Sequence, residues 1–217
     1  MRLPKLAHAV TLLIIFFATP SQALNLTEGS PVETLIANLQ QQSFLQGSYT
    51  QKRTLKGFSK ALSSSGQFKF WRNHGLYWQT DKPFFSALTY NDKDILYWSA
   101  TGELTSQQAP SVTERHINKI LLAIFSADIK ELEKLFNLKI NHADDNSWNI
   151  ELTPSNPIVS QALVKVTLNG ARYLEQANIF STNGNENTII FSNIEHTEKP
   201  GKEQCKLFFN PAQQSCS

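Results

Sequence analysis

Several ingredients that usually announce chemistry are missing from this chain of 217 residues. Cysteine occurs only as Cys205 and Cys216, which argues against a thiolate metal centre. Glycine is scarce, with nine scattered residues and no glycine-rich loop to cradle a phosphate. No Gly-x-Ser-x-Gly turn is present to raise a nucleophile, and Ser63–Ser65 before Gly66 reads as a turn. The five histidines are dispersed; His74 falls in a predicted turn and His116 near a helix start, both ordinary exposed positions. His142 with Asp144 and Asp145 can be drawn as a metal site, but the trio sits at a predicted hairpin turn and its spacing has no established ligand geometry. The expectation is no enzyme, no cofactor and no metal. Charge of one sign is also missing, with 20 Lys and Arg against 18 Asp and Glu. That balance gives no electrostatic footprint for nucleic acid.

Long apolar runs are absent after the first twenty-odd residues. Arg2 and Lys5 precede "AHAVTLLIIFFA", and "SQA" follows Pro20 with small residues at Ser21 and Ala23. The pattern predicts a secretory signal peptide, residues 1–23, cut after Ala23. A membrane anchor is the alternative, but the run is short of the roughly 20 residues a span needs. Cleavage removes Arg2 and Lys5 and no acid, so the exported chain is formally neutral. Leu24 follows the cleavage point, where a lipoprotein would carry cysteine, so no lipid anchor is expected. In an exported chain the Cys205 and Cys216 pair reads most simply as a disulfide, worth about 3 kcal/mol in the chain-entropy model. Free thiols are the alternative.

What is present is two blocks of strands around a helical middle, read as one domain over residues 24–217. "GSPVETLIANLQQQ" predicts an amphipathic helix. Ser30 and Glu33 form a capping box, Pro31 takes the first helical position, and Val32, Leu35, Ile36 and Leu39 form one stripe. From Phe44 to about Ser106 the period becomes two, with aromatic stretches bounded by Gly, Asn, Asp or Pro. A second capping box, Ser111 with Glu114, precedes a helix carrying Ile117, Ile120, Leu121 and Ile124. Asp128 with Glu131 caps a short third one. Strands return after Asn137, with a turn at Asp144–Asn146 and hairpin signals at Asn169-Gly170 and Asn183-Gly184. "CKLFFNP" reads as one more strand. The fold expected is mainly β with α: about ten or eleven antiparallel strands in a strongly curved or unclosed barrel, with two or three helices as cover.

The stretch "GQFKFWRNHGLYWQT" carries the one charge out of place. Residues two apart on a strand share a face, so Arg72 is in phase with Phe68 and Phe70, while Lys69 points outward. Arg72 is either a strand-end residue reaching solvent beside Asn73 and His74 or a charge at the rim of an apolar interior. The aromatics Tyr49, Phe68, Phe70, Trp71, Tyr77, Trp78, Phe84, Phe85, Tyr90, Tyr97 and Trp98 fit a filled β core or the wall of a cavity for a long apolar ligand.

The order of elements and the local motifs resemble the LolA family, periplasmic carriers that move lipoproteins from the inner to the outer membrane. Tyr49-Thr50-Gln51 matches the family's Phe-Thr-Gln. "GQFKFWRNHGLYW" matches its Gly-x-apolar-x-apolar-x-Arg-Pro strand through Gly66, Phe68, Phe70 and Arg72, with Trp78 on the next. "TDKP" and "DKDILYWSA" fall in place, and "LFFNP" loosely fits the closing strand. Similarity is strongest over 30–100 and architectural from there to about 194. Asn73 stands where the family usually has proline. "TLKGFSKALSSSGQF" and "GLYWQTDKPFFSAL" look closer to LolA-like proteins associated with aryl polyene (xanthomonadin-type) clusters, which leaves the cargo open between a lipoprotein and a polyene lipid.

The resemblance implies an unclosed antiparallel barrel with a helical lid. Residue by residue it carries over only one role, that of Arg72 in bonding lid backbone and holding the empty cavity shut; Tyr49, Phe68, Phe70, Leu76 and Trp78 with Ile120 and Ile124 are the candidate cavity residues beside it. It implies a monomer that takes lipid or lipoprotein cargo from an inner-membrane exporter and yields it to an outer-membrane acceptor. LolA-like domains also occur in periplasmic sensors, so a lipid-sensing interaction module is an alternative. A lipid-modifying enzyme is a further one, for which no nucleophile–base pair is found.

Overall fold

A computed structural model describes residues 31–110, 112–142, 147–210, 212 and 216. The predicted signal peptide, Ser30 and Ser111 of the two capping boxes, and the Asp144–Asn146 turn with its two acids lie outside the described residues. The chain begins with α1 (Pro31–Gln40), then β1 (Phe44–Thr54), β2 (Leu62–Trp71), β3 (Gly75–Lys82), β4 (Ser86–Tyr90), β5 (Ile95–Trp98) and β6 (Leu104–Gln108). It continues through α2 (Val112–Ser126) and α3 (Ile129–Glu133) to β7 (Phe136–His142), β8 (Trp148–Pro154), the single turn α4 (Pro157–Ser160), β9 (Leu163–Gly170), β10 (Leu174–Ser181), β11 (Glu186–Thr197) and α5 (Lys202–Lys206).

The eleven strands form one antiparallel sheet in the order β6-β5-β4-β3-β2-β1-β11-β10-β9-β8-β7. The two meanders meet where β1 pairs with β11, with Tyr49 opposite Phe191. The sheet ends in two edges, β6 and β7, and the helices that join those edges in sequence are α2 and α3. This is the curved, unclosed sheet that the period-two stretches predict.

Strand alternation sorts the side chains into two cores. On the concave face, Leu45, Tyr49, Phe68, Phe70 and Leu76 meet Ile150, Leu152, Val166, Leu168 and Phe191 from the other half, all buried. Phe125 of α2 joins them, its ring 5.4 Å from that of Phe68 and 5.7 Å from that of Phe70. The convex face has its own core of Phe44, Tyr77, Ala87, Leu96, Trp98 and Phe208. Phe208 has no exposed surface and sits edge-on to Phe44 at 6.2 Å and to Trp71 at 5.5 Å.

That second core overturns three sequence readings. The segment "CKLFFNP" is no strand: α5 and the residues after it lie across the outside of β1–β5. Trp71, Tyr77 and Trp98 on that face need a cover. Thr89, with no exposed surface, donates its hydroxyl to Leu207 O at 2.5 Å and accepts from Trp98 Nε1 at 3.0 Å. Lys69 does point to the convex face, yet it is half-buried with Nζ 5.2 Å from the Tyr77 ring centre. Burial lowers its pKa, opposed by Asp81. His74 is also half-buried, not exposed, stacked on Trp71 with ring centres 3.7 Å apart. Cys205 Sγ is bonded to Cys216 Sγ, with their Cα atoms 5.9 Å apart, at the root of this covering segment.

Two local signals resolve differently. Asn183-Gly184 forms the β10–β11 turn, with Gly184 at φ 79° and Asn183 Oδ1 accepting from Asn185 N at 3.0 Å. Asn169-Gly170, in contrast, ends β9, and the turn is 171–173. Gly170 is needed there because a Cβ would strike Tyr173 O and the Trp148 ring. Asp128 caps α3 as expected, accepting from Glu131 N at 3.0 Å.

If the convex core is structural cover, truncating its centre unfolds the protein. Phe208→Ala is expected to lower stability by about 3–5 kcal/mol, read as a shifted urea midpoint.

Candidate functional site

Arg72, in phase with Phe68 and Phe70, follows Trp71, the last residue of β2. Its backbone N–H donates to Ser43 O at 2.9 Å, and the chain then turns through Asn73 at φ 63° and Gly75 at φ 138°. The guanidinium turns away from solvent toward two helix ends. Arg72 Nη2 donates to Leu39 O at 3.0 Å, Nε to Gln42 O at 3.2 Å, and Nη1 to Ser126 O at 2.8 Å. Leu39 lies in the last turn of α1, Gln42 two residues beyond its end, and Ser126 is the last residue of α2.

The chemistry of those partners follows from helix geometry. The last four carbonyls of a helix lack intrahelical donors and sit at the negative end of its dipole, so a fixed cation suits them. A guanidinium offers five donors in a planar fork and does not shed its proton in a protein. Burial lowers the Arg72 pKa, and the negative charge of Asp128 opposes this. The guanidinium also lies 5.8 Å from the Phe70 ring centre. Amide side chains add two more ties: Gln40 Nε2 donates to Ala127 O at 3.0 Å, and Gln42 Nε2 to Arg172 O at 3.1 Å.

Beneath these ties lies an apolar cavity of about 30 Å³, with Ile36 and Leu39 of α1, Ile124 and Phe125 of α2, and Leu45 and Phe68 of the sheet in its wall. That is space for little more than one water molecule. Sites for small organic ligands run to about 300–1,000 Å³, so the interior is closed in this state.

Of the residues expected at the site, Phe68 and Ile124 line this cavity and Arg72 ties its cover. Phe70 is buried against Phe125 and borders an outer polar cleft of about 380 Å³ with Lys119, Asp128 and Glu131. Leu76 is fully buried in the concave core, and Ile120 is packed against it. Tyr49 and Trp78 form a pair with ring centres 4.0 Å apart, farther along the sheet and outside the cavity wall. Tyr49 and Thr80 share a hydroxyl hydrogen bond of 2.7 Å, and burial raises the Tyr49 pKa.

A family model for the outer membrane lipoprotein carrier protein LolA matches residues 40–207. The chain belongs to the LolA family. No curated protein matches it in sequence. Among solved structures it is similar to a LolA-superfamily protein of Nitrosomonas europaea, at 11% identity and a TM-score of 0.43, over 83% of this chain and 98% of that one. A putative outer membrane lipoprotein-sorting protein domain of Vibrio parahaemolyticus matches at 9% identity and a TM-score of 0.40, over 81% of this chain and 94% of that one. A chain of the Pseudomonas aeruginosa MucA/MucB complex matches at 11% identity and a TM-score of 0.44, over 80% of this chain and 59% of that one. Among the described residues no helix is long and apolar enough to cross a membrane.

As a LolA-family protein the chain departs from the resemblance at Asn73, and the backbone explains what that allows. Proline is locked near φ −65°, whereas Asn73 adopts the left-handed φ of 63°, a region that asparagine tolerates. The turn after Arg72 therefore takes a path that proline cannot follow.

Sequence reasoning missed one residue of the cavity wall and one buried polar residue on the same helix. Phe125 is the aromatic by which α2 grips the sheet, 5.6 Å from Phe191 as well as close to Phe68 and Phe70; its spacing of four from Leu121 was a usable signal. Asn118, seven residues before Phe125, is 3% exposed, and neither Nδ2 nor Oδ1 meets a hydrogen-bond partner among the described residues. A buried carboxamide left unpaired costs about 1–3 kcal/mol. Replacing it by the similarly shaped leucine is expected to raise stability by about 1 kcal/mol or more, measured as a higher urea midpoint. An unchanged or lower midpoint would mean that Asn118 is satisfied by water.

Proposed function

We propose that this chain is a soluble periplasmic carrier that shelters the acyl or other apolar chains of a lipid or lipoprotein between membranes. The observation that carries the reading is the closed apolar cavity whose two covering helices end on one arginine. An inner-membrane exporter would load the protein, and an outer-membrane acceptor would unload it. The carrier acts as a monomer, without a cofactor and without a chemical step of its own. Its cargo is either a lipoprotein or an aryl polyene lipid, since both present long apolar chains.

Magnitudes favour a reversible lid. Hydrogen bonds from a charged donor contribute about 1.5–3 kcal/mol each, and less where solvent screens them. The three Arg72 bonds are partly exposed, so together they hold the cover by on the order of a few kcal/mol. Burying one methylene yields about 0.8 kcal/mol, so roughly half a dozen methylenes outweigh the latch. An acyl chain thus supplies enough free energy to part α1 and α2 from Arg72. Re-forming the same three bonds then favours release, because the emptied cavity closes on itself and not on water.

Removing the latch should separate loading from release. Arg72→Leu is expected to bind a fluorescent fatty acid at least as well as the parent protein and to give it up more slowly to acceptor vesicles. Ordinary release by this variant would remove Arg72 from the mechanism. Failure of the parent protein to bind any fatty acid or co-purify with lipid would overturn the carrier reading itself.

A further inference from the structure

Among the described residues seven large apolar side chains stay exposed, and six of them gather at one end of the sheet. Strand pairing places them. Arg53 pairs with Leu62 and Thr54 with Glu186, so the β1–β2 hairpin tip with Phe58 lies beside the β10–β11 turn. Ser65 pairs with Lys82, bringing in the β3–β4 turn with Phe84 and Phe85. Ser181 pairs with Leu163 and Thr182 N donates to Ala162 O, bringing in Val164 and, through α4, Ile158. Phe84 is 83% exposed and Phe58 68%, values that no core or strand packing explains.

The same end is basic. Lys52, Arg53, Lys56, Lys60 and Lys82 are all exposed, and none of the five is ion-paired among the described residues. Asp81 and Glu186 are the acids on the same stretches of strand. Aromatic and aliphatic side chains on separate projecting turns make a rim, not a groove that a peptide or helix would fill. Exposed aromatics flanked by unpaired lysines match the chemistry of a lipid headgroup layer, with apolar tips entering the acyl boundary and cations meeting phosphates.

We propose that this rim is a peripheral contact site for an anionic phospholipid bilayer. Each lysine or arginine near such a surface raises partitioning about fivefold, and the four tips at the β1–β2 and β3–β4 turns add apolar burial. The rim lies about 30 Å from Arg72, the length of β2 at roughly 3.3 Å per residue. Contact with the bilayer therefore leaves α1, α2 and the latch uncovered and free to move. The inference is independent of the cargo, and its failure would leave the carrier reading standing.

Flotation of the full chain with vesicles tests it. Binding is expected to phosphatidylcholine vesicles containing phosphatidylglycerol, and to weaken when phosphatidylglycerol is omitted or salt is raised. The pair Lys56→Glu and Lys60→Glu should reduce binding about tenfold or more, and the pair Phe58→Ser and Phe84→Ser should also reduce it. Both doubles should unfold near the parent's midpoint, because these side chains are largely exposed. Absence of parent binding to anionic vesicles, equal binding to neutral ones, or binding untouched by both doubles would each overturn the proposal. So would a self-association through the rim that occurs in place of vesicle binding.

Discussion

One guanidinium joins the parts of this molecule that strand pairing leaves separate. The sheet is held by its own ladders and by aromatic packing, but α1 and α2 reach it through few directional contacts. Arg72 bonds the carbonyls of Leu39, Gln42 and Ser126, which belong to the ends of both helices. The partners are main-chain atoms, so this tie depends on where the helices end and not on which side chains they carry. It depends equally on Arg72 keeping its charge in a half-buried place, which the guanidinium does and an amine would do less securely.

The rest of the architecture sets a sheet wall against a helical cover. Neighbouring residues of β2 illustrate the division. Phe70 faces inward to Phe125 of α2, and Trp71 faces outward to His74, Phe208 and Phe209. Covering the convex face with the C-terminal segment stiffens β1–β5 from behind without using the concave face. The concave side then needs only α1 and α2 to close it. Those helices are held by apolar contacts, by three bonds to Arg72 and by the amide ties of Gln40 and Gln42.

The polar exceptions lie at the boundaries between these layers. Gln42 is buried and acts both as carbonyl acceptor for Arg72 and as amide donor to Arg172 O, so α1 is tied to the sheet at two places by one residue. Asn118 is the opposite case, a buried amide with no hydrogen-bond partner among the described residues. Apolar groups show the same logic in reverse. Among the described residues most exposed large apolar side chains lie at the end far from Arg72, where Phe58, Leu62, Phe84 and Phe85 remain in water beside lysines.

By itself the sequence determined the strand blocks, the helical interlude and the phase of Arg72 with Phe68 and Phe70, because these follow from periods of two and 3.6 read within one segment. The same periods placed Lys69 on the opposite face, and the Asp128 cap was readable from three residues. The tertiary structure alone decided what covers each face. Nothing local to "CKLFFNP" distinguishes a strand from a turn-and-helix cover, since Phe208 is buried by Phe44 and Trp71, more than a hundred residues earlier. The three carbonyls that receive Arg72, the burial of Asn118, and the meeting of four turns in one basic, apolar rim likewise depend on distant segments. Periodicity reports which way a side chain points; only the folded chain supplies what it points at.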